Sequence, residues 1–289
     1  MIIDAHTHLW KNQNGIADGK PVFYVENGKS DFAGEIRQMM PPYMTDGFNS
    51  VQRLIANMDY AGVNGAVVTQ EEIDGNQNAY LLEAKMQFPD RLKICSLYLE
   101  GQAVETQGFD GIKICAGRLK EQNLLKHIDV FEKACKNSMF ISIDMANGDL
   151  QTGQLDEIAK QYPDLKIAIG HFGMVTMDKW QEQIKLARNK NVFVESGGIT
   201  WLFNKEFYTY PSAVKAIKEA IDICGADKLM WGSDYPRTMV EITYKMSFDF
   251  VLKSSELSNE EKEKFLFENA KDFYDFKNLT PLPEIKNML

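Results

Sequence analysis

Eight short apolar segments recur along the chain, and most of them are separated by a segment whose apolar residues follow helical spacing. This alternation predicts a parallel sheet, because parallel strands need a long crossover between them and the crossover is usually a helix. A chain of 289 residues also has the length of an α/β barrel. We therefore predict a (β/α)₈ TIM barrel that forms a single domain over residues 1–289. The predicted strands are 2–3, 66–68, 92–99, 112–115, 140–144, 166–171, 192–195 and 229–234.

Two connections depart from the regular pattern. Residues 100–110 are too few for a full helix, so we expect a turn there. Residues 11–47 contain repeated glycines and the pair Pro41-Pro42, which interrupt every periodic run. A long loop within a compact domain is usually functional, so we predict an irregular lid or binding wall directly after the first strand. Its charged candidates are Glu26, Glu35 and Arg37, which the sequence does not rank.

The first predicted strand ends in two histidines, His6 and His8. Side chains two residues apart on a strand point to the same face, so the two imidazoles are expected to converge on one point. Such a pair is half of a metal site or the acid and base of a proton-transfer pair. Two exposed turn histidines are the alternative. The whole chain has only four histidines, and two of them at one strand end favour a site.

Three more titratable residues follow predicted strands: Asp144, His171 and Asp234. Each has a structural explanation, since Asp144 can cap a loop, His171 can bond in the core, and Asp234 can form a turn. In a parallel barrel, however, the carboxyl ends of all strands share one mouth. Two carboxylates and three imidazoles facing one cavity make a poor core, and together they predict a functional site.

Composition limits the partners. The formal net charge of −9 argues against nucleic acid and anionic membranes, because both bind through a basic surface. No stretch is long and apolar enough for a membrane span, and no targeting segment precedes the first strand, so we expect a cytoplasmic protein. The widely spaced Cys95, Cys115, Cys135 and Cys224 favour small buried side chains over disulfides or zinc ligands.

Several motifs together resemble the amidohydrolase-related branch (amidohydrolase 2) of the amidohydrolase superfamily, and the resemblance runs over most of the chain. The motifs are His6-Thr7-His8, Phe88-Pro89-Asp90-Arg91-Leu92, Gly108-Phe109-Asp110-Gly111-Ile112-Lys113, Gly170-His171-Phe172-Gly173 and Trp231-Gly232-Ser233-Asp234-Tyr235-Pro236.

The resemblance implies a TIM-barrel enzyme with one divalent metal, usually zinc, that acts on small carboxylated, cyclic or aromatic-derived substrates. It implies that His6, His8 and Asp234 bind the ion, and that His171 polarises the substrate or the bound water. We expect His171 within reach of the ion, as a further candidate ligand. Asp144 stands where the branch has a fifth-strand histidine. It could complete a site of two histidines and two carboxylates, which shifts the preference toward Mn²⁺. Alternatively the metal is lost, as in the pyrone-dicarboxylate lactonases of the branch.

We therefore expect a hydrolase of a small organic acid, lactone or amide that works through a metal-bound water, with Zn²⁺ the first candidate and Mn²⁺ the second. Asp234 would take the proton of the water, and His171 would polarise the carbonyl. Lys113, Arg118 and Arg237 are the candidates for binding a substrate carboxylate. A non-oxidative decarboxylase of an aromatic or muconate-type acid, a metal-free lactonase and a decayed, ligand-binding barrel are the alternatives. A homo-oligomer is left open.

Overall fold

The computed structural model describes residues 1–206 and 208–282. The predicted domain range of 1–289 thus includes Phe207 and residues 283–289, which lie outside the described residues. In chain order the strands are β1 (Ile3–His8), β2 (Asn14–Ala17), β3 (Lys20–Glu26), β4 (Lys29–Phe32), β5 (Glu35–Gln38), β6 (Gly65–Thr69), β7 (Leu92–Leu97), β8 (Gly111–Ile114), β9 (Phe140–Ile143), β10 (Ile167–Ile169), β11 (Val192–Glu195) and β12 (Leu229–Met230).

Strand β1 and strands β6 to β12 form one eight-stranded parallel sheet in sequence order. The sheet closes because the segment after β12 bonds to β1. The Ala5 amide donates to the Trp231 carbonyl at 2.8 Å, the Asp234 amide to the His6 carbonyl at 2.9 Å, and the His8 amide to the Tyr235 carbonyl at 2.8 Å. The predicted (β/α)₈ TIM barrel is confirmed.

Helices follow most of the barrel strands. They are α1 (Val51–Ala61), α2 (Asn78–Gln87), α3 (Ile128–Lys136), α4 (Thr152–Gln161), α5 (Trp180–Lys185), α6 (Ile199–Leu202), α7 (Pro211–Cys224), α8 (Met246–Lys253), α9 (Asn259–Glu263) and α10 (Asn269–Tyr274). Residues 100–110 form turns without a helix, as predicted. None of the helices in the described part of the chain has the length and hydropathy needed to cross a membrane.

The prediction of an irregular loop at residues 11–47 is wrong, because β2 to β5 form a four-stranded antiparallel sheet there. Its three hairpins turn through two residues each, at Asp18-Gly19, Asn27-Gly28 and Ala33-Gly34. All six of these residues have positive φ. Two-residue turns need this conformation so that their twist matches that of the flanking strands. Gly19, Gly28 and Gly34, which interrupt the apolar pattern, are therefore turn residues.

The barrel interior has an apolar end and a polar end. Small or apolar side chains such as Ala5, Val67 and Cys95 pack in one cluster with Phe273 and Tyr274 from the end of the last helix, α10. This cluster fills the amino-terminal end of the barrel. The polar side chains lie at the opposite, carboxyl end of the strands. The four cysteines are free thiols, as predicted, with Cys95 and Cys115 buried and the other two half-buried.

Candidate metal centre and active site

The structure brings together His6, His8 and Asp234 at the mouth of the barrel, all at most 1% exposed. The Nε2 atoms of the two histidines are 3.0 Å apart. The Oδ1 atom of Asp234 lies 2.8 Å from His8 Nε2 and 3.8 Å from His6 Nε2. Three potential ligand atoms therefore face one point, and a second group formed by His6, Asp144 and His171 lies beside it.

Glycines make room for this cluster where strands end. A Cβ atom at Gly232 would lie 2.7 Å from the Cβ of His6 and from Glu195 Oε2. A Cβ atom at Gly170 would lie 2.1 Å from Asp144 Oδ1. Real Cβ atoms do not approach other atoms this closely, so both positions exclude a side chain. The glycines of the Trp-Gly-Ser-Asp and Gly-His-Phe-Gly motifs thus provide the volume that the site residues occupy.

The spacing of the three atoms fits a divalent ion. Ligands about 2.0–2.1 Å from a tetrahedral ion are about 3.3 Å apart, which lies within the observed separations of 2.8–3.8 Å. His6 donates from Nδ1 to Glu195 Oε1 at 2.6 Å, which leaves its Nε2 as a lone-pair donor. Zinc-binding histidines are typically oriented by this kind of carboxylate contact.

The charge around the mouth also fits an added cation. Five carboxylates lie there, and His171, Lys113 and Arg237 are the three cationic groups buried among them in the described chain. Carboxylates thus outnumber the buried cationic groups at the mouth, and a divalent ion would offset the excess of negative charge. The five carboxylates are Glu71, Asp74, Asp144, Glu195 and Asp234.

His171 is held between acidic groups. It donates from Nδ1 to the Gly197 carbonyl at 2.8 Å, and its Nε2 lies 3.6 Å from Asp144 Oδ2 and 3.7 Å from Glu71 Oε1. Burial opposes the charged imidazole, but the Asp144 carboxylate raises the pKa of His171 well above its usual range. A carbonyl acceptor at Nδ1 and two carboxylates beside Nε2 thus favour a proton on both ring nitrogens, so Nε2 can donate a hydrogen bond into the cavity.

Lys113 has a different partner from the substrate carboxylate that the sequence suggests. Its side chain is fully buried, and its Nζ lies 2.6 Å from Asp144 Oδ1. It is absent from the cavity wall because Asp144 stands between it and the mouth. Lys113 therefore compensates the charge of Asp144.

A cavity of 1080 Å³ opens above these residues. Arg118 and Arg237, both predicted to bind substrate, lie on its wall, and so does Arg37 from β5. The Nη2 atom of Arg237 donates to both oxygens of Asp74, at 2.7 and 2.8 Å. Arg118 is exposed on the cavity wall, and the guanidinium of Arg37 stacks 4.4 Å above the ring of Phe32. The sheet that replaces the predicted loop is thus one wall of the cavity.

Four residues of the site were missed by the sequence analysis: Glu71, Asp74, Glu195 and Trp201. Glu195 ends the seventh barrel strand, so the rule that selected Asp144 could have selected it too. Glu71 and Asp74 follow β6 without a regular pattern, and Trp201 lies in the short helix α6. These three have no signal in the sequence.

The family model described as Amidohydrolase matches residues 3–276 of the chain. The chain therefore belongs to the amidohydrolase family, and it is an enzyme of the amidohydrolase superfamily. No curated protein sequence matches it.

Solved structures share the fold at low sequence identity. A probable 2-pyrone-4,6-dicarboxylic acid hydrolase from Acinetobacter baumannii, crystallised with citric acid, has a TM-score of 0.69 at 20% identity, covering 95% of this chain and 99% of that one. An amidohydrolase from Burkholderia multivorans with bound zinc has a TM-score of 0.70 at 14% identity, covering 95% and 99%. Amidohydrolase 2 from Bifidobacterium longum subsp. infantis has a TM-score of 0.63 at 19% identity, covering 96% and 99%.

Proposed function

We propose that this protein is a divalent-metal-dependent hydrolase of a small carboxylated lactone or a related organic acid or amide. The observation that carries the proposal is the convergence of His6, His8 and Asp234 at ligand spacing. The bound zinc of the Burkholderia multivorans amidohydrolase supports a metal at such a site.

His6, His8 and Asp234 would hold the ion, with Asp144 and His171 beside it. Two imidazoles and one carboxylate with an open position favour Zn²⁺, and Mn²⁺ is the second candidate because of the neighbouring carboxylates. A bound divalent ion supplies Lewis acidity that activates water and polarises a carbonyl group.

Asp234 is the proton acceptor in this proposal. Burial opposes its ionised form, but in the metal-free site the hydrogen bond to His8 and the charge of Arg237 lower the pKa of Asp234 to about 2. The carboxylate is therefore ionised at neutral pH, and it can orient the attacking water and accept its proton. His171 donates from Nε2 to the substrate carbonyl oxygen, where negative charge develops during attack.

The cavity wall supplies the contacts for a carboxylated substrate. Arg118 and Arg237 both lie on that wall. Arg237 is beside Asp234, with 3.9 Å between Nη1 and Oδ1, and Arg118 is exposed. Guanidinium groups bind carboxylates through paired hydrogen bonds. The citric acid in the Acinetobacter baumannii structure supports a carboxylated ligand.

The test combines elemental analysis with an assay panel of lactones, amides and aromatic carboxylates. We expect about one divalent ion per chain. Asp234→Asn is expected to lower kcat by about 100-fold or more, because the proton acceptor is lost. Asp164→Asn, which changes an exposed carboxylate, serves as the matched control. Full activity of Asp234→Asn would overturn the mechanism, and release of CO₂ without hydrolysis would assign the decarboxylase alternative.

A metal-free lactonase is the second candidate, and the Lys113–Asp144 pair favours it. That pair at 2.6 Å ties one oxygen of the fifth-strand carboxylate to a lysine instead of leaving it for an ion. In this case Asp234 and His171 would act directly on water and carbonyl. Unchanged lactone hydrolysis after complete removal of metal by a chelator would select this candidate over the metal-dependent one.

A further inference from the structure

The two oxygens of Asp234 have different partners. Oδ1 faces the histidine pair, 2.8 Å from His8 Nε2. Oδ2 accepts a hydrogen bond at 2.8 Å from the indole Nε1 of Trp201, a half-buried residue on the cavity wall. The hydrogen bond therefore occupies the oxygen that does not face the histidines.

The position of the Trp201 indole is set by the backbone around it. A Cβ atom at Gly198, which has a φ of +69°, would lie 1.8 Å from Trp201 Nε1, so the ring packs directly on this glycine. The Gly198 amide donates to the Gly232 carbonyl at 3.2 Å, and the Trp201 amide donates to the Gly198 carbonyl at 3.0 Å. The helix that carries the indole is thus bonded to the segment that carries Asp234.

The indole also contacts the other side of the site. Its ring lies edge-on to the ring of His171, with 6.1 Å between the centroids. One side chain therefore contacts both the carboxylate proposed to bind the ion and the imidazole proposed to bind the substrate.

We propose that Trp201 is a positioning residue that keeps Asp234 a one-oxygen ligand. Its N–H engages Oδ2, so the carboxylate cannot rotate to present both oxygens to an ion, and Oδ1 stays directed at the histidine pair. This inference rests on the proposed function, because it assumes that Asp234 binds the ion. Trp201 thus helps to set how many oxygen atoms Asp234 presents to the ion.

The experiment loads the metal-free protein with Co²⁺ and records its affinity and its visible absorption spectrum. Trp201→Phe keeps an aromatic ring and removes only the N–H donor. We expect this variant to bind Co²⁺ about tenfold more weakly, as loss of an orienting contact does. We also expect weaker visible absorption, because the second oxygen of Asp234 joins the coordination and Co²⁺ with more ligands absorbs less. Trp180→Phe is the control, since Trp180 instead stacks on Phe172.

Wild-type Co²⁺ affinity and an unchanged spectrum in Trp201→Phe would overturn the inference, even if KM rose through loss of a cavity contact. If the wild-type protein bound no Co²⁺, the proposed metal dependence would fail instead. The indole N–H signal then decides the role of Trp201. In the metal-free protein this signal, identified by its loss in Trp201→Phe, is expected to shift in Asp234→Ala. An unshifted signal would show that the indole does not hold Asp234.

Discussion

At the scale of single residues, a histidine binds a metal well only when its ring is oriented by a second contact. His6 has such a contact, because its Nδ1 donates to Glu195 Oε1 at 2.6 Å. The other oxygen of Glu195 accepts from the Gly197 amide at 2.5 Å, which fixes the carboxylate in turn. Both side chains are at most 1% exposed, so water does not replace either bond.

Glu195→Gln is expected to weaken metal binding by about 10- to 100-fold. Glutamine has nearly the same volume, but a neutral amide stabilises the ring of His6 less, and its NH₂ group faces either the donor His6 Nδ1 or the donor Gly197 amide. A competition titration against a coloured chelator measures the change. Glu157→Gln, at an exposed position, is the control. Equal affinities for the two variants would contradict the role of Glu195.

At the scale of secondary-structure elements, the antiparallel sheet after β1 contributes residues to the cavity wall. Its strand β5 carries Arg37, which lies on the cavity wall and pairs with Glu35 at 2.6 Å. Because the sheet is bounded by two-residue turns, Arg37 is presented by a regular strand instead of a mobile loop. The element therefore adds a guanidinium group to the cavity wall.

Arg37→Met is expected to raise KM for a carboxylated substrate by roughly fivefold with little change in kcat. The loss corresponds to about 1 kcal/mol, a modest value because the guanidinium is nearly half exposed. We expect KM to change without kcat, because Arg37 does not contact the reacting atoms. Lys29→Met removes a charge from the neighbouring strand β4, away from the cavity wall, and should leave both constants unaltered. A fall in kcat with constant KM would refute this assignment.

At the scale of the whole molecule, closure of the barrel depends on the contact between its first strand and the segment after its last. Asp4 connects these parts, because its Oδ1 accepts from the Ser233 and His6 amides at 2.8 and 3.1 Å. Its Oδ2 accepts from the Tyr244 hydroxyl at 2.6 Å. His6 is a proposed metal ligand and Ser233 directly precedes another, Asp234, so the closure also supports the site.

Tyr244→Phe is expected to lower the free energy of unfolding by about 1–3 kcal/mol, because it leaves a buried carboxylate oxygen without its donor. Urea denaturation measures the change. Tyr60→Phe is the control, since Tyr60 is 77% exposed and its hydroxyl removal should cost less than about 0.5 kcal/mol. A Tyr244→Phe protein as stable as the Tyr60→Phe protein would rule out this role for Asp4.

The sequence alone was sufficient for the barrel and for the five polar residues at its mouth. Apolar periodicity is a local property, since side chains alternate along every strand, and parallel strands must end on the same side. His6, His8, Asp144, His171 and Asp234 follow from these two rules. The hairpins of β2 to β5 were missed, although Asp18-Gly19 and Asn27-Gly28 are favoured turn pairs.

Only the tertiary structure decided which of these residues touch and what holds them. His6 meets Glu195 across 189 residues of sequence, and Trp201 meets Asp234 across 33. Packing also decided the role of Lys113, because this buried side chain pairs with Asp144 and does not reach the cavity. Contacts of this kind depend on distances between distant segments and on the rotamers that fill the space between them. No local pattern encodes those distances, so they emerge only when the barrel closes.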